Sequence, residues 1–261
     1  MRQGGRMPVL LAPVCAVFGA VVSPCGAQEL TAAQVVARCR RAYRALKSYE
    51  GTAQVVCRTE RNGNVQVWRA SAVIAYARPG RIRVEGVNRL GQRYRYVSDG
   101  QSVTMDHGPV PGTQPSVRSG RWEHSLSVTA AMARTGGAAL NASTTIPSLL
   151  LGTSWGNPLV LEHRPEGRVI RERVNGMLAY RVRLTTRSGA VTLWIDARTF
   201  LLLQMQETHD LGKMATSGPF HAPRPRGTVE YMHRFRTLHR NGALSPAQFA
   251  LPERSRTLQT L

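Results

Sequence analysis

Histidine, cysteine and carboxylate side chains are where this chain could do chemistry, so their spacing is the first question. Seven histidines are scattered along 261 residues. His233 and His239 lie six apart on or just beyond a strand-like run, which is no metal-ligand spacing, and they read as polar surface positions. Asp99 and Asp196 resemble a pair of acid/base carboxylates, but Asp99 precedes Gly100 in a turn and Asp196 closes a strand-like run. Turn chemistry accounts for both. The sequence holds no Gly-rich phosphate loop, no nucleophile elbow and no HExxH pair. No catalytic residue, metal or cofactor is therefore assigned. Beyond the first 27 residues the cysteines are Cys39 and Cys57, which an oxidising compartment would permit to bridge. A helix-then-strand reading sets them at unequal distances from the joining turn, roughly 14 against 23 Å. Bridged Cα atoms lie within about 7 Å, so this geometry disfavours the disulfide without excluding it.

The elements that would carry these residues begin after a leader. Arg2 and Arg6 precede an uncharged stretch, residues 7–28, with an apolar centre interrupted by Pro13, Gly19 and Pro24 and ending in Cys25-Gly26-Ala27. That is the layout of a secretory signal peptide over residues 1–27, and it is too broken for a membrane span. An uncleaved anchor is the alternative. The expected location is periplasmic or secreted. Leu30-Thr31-Ala32-Ala33-Gln34-Val35 then carries a capping box and a hydrophobic staple. Val35, Cys39, Tyr43 and Leu46 recur at helical spacing, which predicts an amphipathic helix to about Ser48.

From Gly51 the period becomes two and turn signals arrive every eight to twelve residues. Strands are expected over 52–59, 65–76, 81–87, 92–98 and 102–107, then over 169–174, 177–186, 191–196, 200–208 and 228–238. Asn62-Gly63, Asp99-Gly100 and Asn175-Gly176 are hairpin signals. Between the two meanders a helix is expected over 122–134, ended by Gly136-Gly137. Residues 138–158 include a short helix from Ile146 and read as a mobile cover. The loops 108–120 and 211–227 are rich in Gly and Pro, and 244–249 reads as a docked closing segment. The expectation is one domain over residues 28–261 in an α+β fold, mainly antiparallel β: a curved, unclosed, barrel-like sheet of about ten strands with helices on its concave side.

Several strands alternate arginine with apolar residues. Arg81 and Arg83 oppose Ile82 and Val84, Arg93 and Arg95 oppose Tyr94 and Tyr96, and Arg181 and Arg183 oppose Tyr180, Val182 and Leu184. One face of the sheet is thus wet and basic, and the other must be covered. Three helical segments are few to cover ten strands, which leaves apolar face for a ligand. The residues expected to line that hollow are Trp68, Ile74, Tyr76, Ile82, Val84, Tyr94, Tyr96, Val103, Met105, Tyr180, Val182, Leu184, Val191, Leu193, Leu203 and Met205. A carrier of acyl chains hides roughly 0.8 kcal/mol per methylene from water and needs almost no chemistry. The formal charge is +20, and removal of residues 1–27 takes away only Arg2 and Arg6. Such a chain is attracted to anionic surfaces, lipid head groups among them. Aromatic residues are 6% of the chain with no stacking motif, which argues against nucleic acid as a partner.

The order of helix and meander, Ala77-Arg78-Pro79-Gly80-Arg81-Ile82-Arg83-Val84-Glu85, Val97-Ser98-Asp99-Gly100, and Val191-Thr192-Leu193-Trp194-Ile195-Asp196 followed by Phe200-Leu201-Leu202-Leu203 resembles the periplasmic lipoprotein-carrier superfamily, the LolA/LolB-like and lipoprotein-sorting proteins. The likeness runs from Glu29 to about Pro252. It implies an unclosed β-barrel wrapped around helices, with a hydrophobic cavity for lipid or lipoprotein acyl chains; the chain itself is expected to be a monomer. The long loops and the arginine content depart from the pattern and leave the cargo open. The alternative reading is an envelope-stress sensor or regulatory binding domain of the same fold, which works through a protein partner.

Overall fold

The computed structural model describes residues 29–112, 127–154, 156–159, 164–214 and 226–251. The expected leader, residues 122–126 of the expected second helix and most of both long loops lie outside them. Helix α1 (Ala32–Ala45) starts at a reciprocal capping box, in which Gln34 N–H donates to Thr31 Oγ1 at 3.2 Å and Thr31 N–H to Gln34 Oε1 at 2.8 Å. These bonds satisfy donors that no helix can satisfy internally. Val35, Cys39 and Tyr43 form its buried stripe. The helix ends earlier than the expected Ser48, because Leu46 turns to extended backbone and Ser48 already pairs with Ala77.

Ten strands follow: β1 (Ser48–Arg61), β2 (Asn64–Ala77), β3 (Arg81–Val87), β4 (Arg93–Ser98), β5 (Val103–His107), β6 (Arg164–Val174), β7 (Met177–Thr185), β8 (Gly189–Asp196), β9 (Leu202–Asp210) and β10 (Gly227–Arg240). They make one antiparallel sheet in the order β5-β4-β3-β2-β1-β10-β9-β8-β7-β6, so β5 and β6 remain as edges and the barrel is not closed. Each meander is local. What joins them is the long pairing of β1 with β10, from Tyr49 opposite Arg240 to Arg61 opposite Gly227. Asn62-Gly63 and Asn175-Gly176 both take positive φ, which matches the twist of the hairpins they close. β1 bulges between Glu50 and Gly51. The Tyr49 phenol folds over Gly51 there, in the space a Cβ would need.

The concave side holds α1 across β6 and β7, α2 (Val128–Gly136) against β4 and β5, and α3 (Thr145–Leu151) against β2 and α1. Helix α2 is capped by Ser127, whose hydroxyl accepts from Ala130 N–H. Residues 138–151 are not the outlying cover the sequence suggested. Ala139, Leu140, Ala142, Ser143, Thr144 and Ile146 are all buried inside the curve of the sheet. Their polar groups are used internally: Tyr96 OH donates to Ser143 O at 2.7 Å, Thr135 Oγ1 and Ser143 Oγ are 2.9 Å apart, and Thr145 Oγ1 donates to Asn141 O at 3.1 Å. A run of small and hydroxyl residues can therefore enter a core without leaving bare polar atoms.

The outer face is the arginine face. Arg81, Arg83, Arg93, Arg95, Arg181 and Arg183 all retain exposure while their apolar neighbours are sealed. Near the C-terminus a 3-10 turn, Pro246–Phe249, docks outside the sheet, with Phe249 buried against Ala75 and Ala77 and the Arg81 guanidinium 5.5 Å from its ring centroid.

Candidate functional site: the concave apolar face and its mouth

Fourteen of the sixteen residues expected on the hollow fall into one buried cluster, each at most 7% exposed: Ile74, Tyr76, Ile82, Val84, Tyr94, Tyr96, Val103, Met105, Tyr180, Val182, Leu184, Val191, Leu193 and Met205. Trp68 is half-buried against the same cluster, with the Arg89 guanidinium 5.7 Å from its ring centroid. Leu203 is the exception. It lies on the opposite face, against Val174, Ala179 and Trp194. A register shift between Trp194 and Ile195 pairs them with Gln204 and Leu202, so Leu203 is an extra residue and the alternation restarts. One inserted residue exchanges the two faces of a strand.

The inner face is not left bare, contrary to what the helix count suggested. Val35, Cys39 and Tyr43 of α1, Met132 of α2, and Ile146, Leu149 and Leu150 of α3 belong to the same cluster. Covering succeeds because residues 138–144 join the helices inside the sheet. Open volume lies instead at the mouth, where a cavity of about 670 Å³ sits between the first turn of α1 and the edge hairpin β6-β7. This is within the usual range for ligand sites. Leu30, Ala32, Val169, Ile170 and Tyr180 supply its apolar wall, and Leu30, Val169 and Tyr180 also touch the buried cluster. Its rim is charged: Arg168 pairs with Glu29 at 3.1 Å, and the Arg171 guanidinium lies 5.3 Å from the Tyr180 ring centroid. Tyr180 in turn stacks on Phe200 at 5.8 Å, with the Arg38 guanidinium 5.3 Å from the Phe200 centroid.

At the other end of the concave face lies a polar cluster that the sequence reading missed. His233 is fully buried, not a surface histidine; His239 is the exposed one. Glu207 reaches both His233 Nε2 and His209 Nε2 at 3.2 Å. The His233 contact is off the line of a hydrogen bond, and His233 Nδ1 has no partner. Ser188 Oγ is 2.8 Å from His209 Nδ1. A hydroxyl donating there leaves the Nε2 proton for Glu207. Burial alone would raise the Glu207 carboxyl, but the His209 hydrogen bond and the electrostatic contact with both imidazoles outweigh it and hold it at about 2. The legible signal was parity, since Tyr231, His233 and Phe235 share one side of β10 with buried Val229. Among the described residues no group of three His, Cys, Asp or Glu could hold a metal ion.

Cys39 and Cys57 are both buried and free, so no disulfide links them. Cys39 belongs to the helix stripe, whereas Cys57 lies opposite Tyr231 and Trp68, well along β1. Burial raises both thiols, that of Cys39 to about 12. Asp99 and Asp196 do only turn work: Asp99 Oδ1 accepts from Gln101 and Ser102 N–H, and Asp196 Oδ1 from Arg198 and Thr199 N–H.

No family model and no curated protein matches the sequence. Among solved structures, the chain is similar to LprF of Mycobacterium bovis, 13% identical over 82% of this chain and 94% of that one, TM-score 0.38. It is also similar to a LolA superfamily protein of Nitrosomonas europaea, 12% identical over 85% and 98%, TM-score 0.28. The third is the MucA/MucB complex of Pseudomonas aeruginosa, 15% identical over 85% of this chain and 61% of that one, TM-score 0.37. These likenesses are partial overlays and carry nothing about ligand or partner. The unclosed antiparallel sheet of ten strands with helices on its concave side is the fold class expected from the sequence.

Proposed function

We propose that this chain is an exported, periplasmic binding protein for lipid or lipoprotein acyl groups, formed as one domain over residues 28–261, which holds its ligand and catalyses nothing. The observation that carries the reading is the mouth cavity, where an apolar wall of Leu30, Val169 and Tyr180 is continuous with the buried inner face and Arg168 and Arg171 stand at its rim. Such a site suits an amphiphile, with the chain entering beside α1 and an anionic head meeting the guanidiniums. Further chain can be admitted only by moving α1 or residues 138–151, because the rest of the inner face is already filled. The fifteen inner-face residues above then line the path, and Leu203 lies outside it.

Lipid extraction and mass spectrometry of the protein exported and purified without detergent test the reading. Acyl species should co-purify at about one per chain, and Val169→Asp should lower that occupancy more than tenfold while the circular dichroism spectrum is unchanged. An empty wild-type protein, or full occupancy in the variant, would overturn it.

A further inference from the structure

A second surface lies where β9 and β10 part. β9 follows β10 only from Asp210 opposite Thr228 to Gln204 opposite Arg234. Among the described residues no strand pairs with the β9-facing side of β10 beyond Arg234, although the strand continues to Arg240 and stays paired with β1. The separation has a visible cause. Phe200 takes φ 58°, the register slips at Trp194/Ile195, and Leu201 and Leu202 both turn into the core. There Tyr43 OH accepts from Leu202 N–H at 3.2 Å, replacing the ladder bond that β10 would have supplied.

The gap is a groove of about 1040 Å³ floored by Ala53, Ala72, Leu201 and Phe235. Arg198, Arg234, Arg236 and Arg240 line it, against the single carboxylate of Asp196, which the turn already uses. Among the described residues no carboxylate pairs with any of the four guanidiniums. Val73, Met177 and Leu238 also line it and are 43%, 43% and 41% exposed. An unpaired strand side is a template for another strand. Here it is flanked by positive charge and spaced apolar side chains.

We infer that this groove takes an extended acidic polypeptide segment, which adds as a strand to the open side of β10 from Phe235 to Arg240. Backbone hydrogen bonds would give it register, carboxylates would meet the arginines, and alternate apolar side chains would cover Leu238 and Met177. The same arginines repel a second copy of this chain, which would bring its own basic strand. The inference stands apart from the acyl reading, since no residue of this groove lines the mouth cavity.

The probe is a fluorescent eight-residue peptide of alternating Glu and Val, titrated by anisotropy into the chain lacking residues 1–27. Saturable binding is expected, weakened at least tenfold by Arg234→Glu with Arg236→Glu, both exposed positions whose change should leave the circular dichroism intact. N-methylation of alternate peptide amides should weaken it at least tenfold as well, because it removes strand donors without altering charge. An alternating Lys and Val peptide should not bind. Equal affinity for the N-methylated peptide, indifference to the double substitution, or binding of phosphatidylglycerol vesicles without binding of the acidic peptide would overturn the proposal. Acyl occupancy measured on the same double variant should be unchanged, which separates failure here from failure of the carrier reading.

Discussion

Glu207 shows how much a single inward residue can matter when its partners come from two strands. Its carboxyl is held at about 2, from a reference of 4.5, by His209 and His233. A group whose folded pKa is depressed gives stability that is complete above its unfolded value and is lost as pH falls through the folded one. Acid titration should therefore weaken the fold through this residue between about pH 4.5 and pH 2. Glu207→Gln keeps the shape, removes the charge, and should cost roughly 3 kcal/mol at neutral pH while flattening that acid limb in chemical denaturation series. Identical acid limbs for both proteins would count against the assignment. Cys39 and Cys57 mark the limit of residue-scale reading from sequence. Unequal distances from the turn disfavoured the bridge, yet nothing in their spacing showed that one would pack within a helix stripe and the other beside Tyr231.

At the scale of elements, the helix start and most strands were legible because their signals are local: a capping box, Asn-Gly turns, and alternation of arginine with apolar residues. The hairpin at Asn175-Gly176 and the strand Arg81–Val87 needed no tertiary information. Residues 138–151 were misread, since small and hydroxyl residues have the composition of a surface loop until Tyr96 and Thr135 satisfy them from inside. Two substitutions test the elements that fill the concave side. Leu150→Ala should lower stability by about 3 kcal/mol, measured by urea unfolding, if α3 is a true core plug; a loss under 1 kcal/mol would make it the loose cover its composition suggests. Tyr43→Phe leaves the packing but orphans the Leu202 N–H, and should cost about 1–2 kcal/mol. Hydrogen exchange should localise that loss to the start of β9.

Across the whole molecule, the sheet separates two surfaces of opposite character. The inside is apolar and filled by α1, α2, α3 and residues 138–144, with room at the mouth. Outside, arginine runs along strand after strand, and the chain carries a formal charge of +20. At low ionic strength the protein should bind vesicles containing anionic lipid and release them as salt shortens the Debye length to below about 8 Å. Co-sedimentation that is indifferent to salt would mean an apolar, not an electrostatic, attachment.

The sequence by itself determined the period, order and facing of nearly every strand, because side-chain alternation and turn chemistry act over a few residues. It also determined that the sheet would have one basic and one apolar face. Tertiary structure alone decided how that apolar face is closed, which residue the β8–β9 bulge expels, and where Glu207 meets its histidines. Each of these depends on residues far apart in the chain reaching one another: β1 must find β10, and Tyr43 must find Leu202. No local pattern records such a meeting, since its free energy exists only once the loops between the partners have closed.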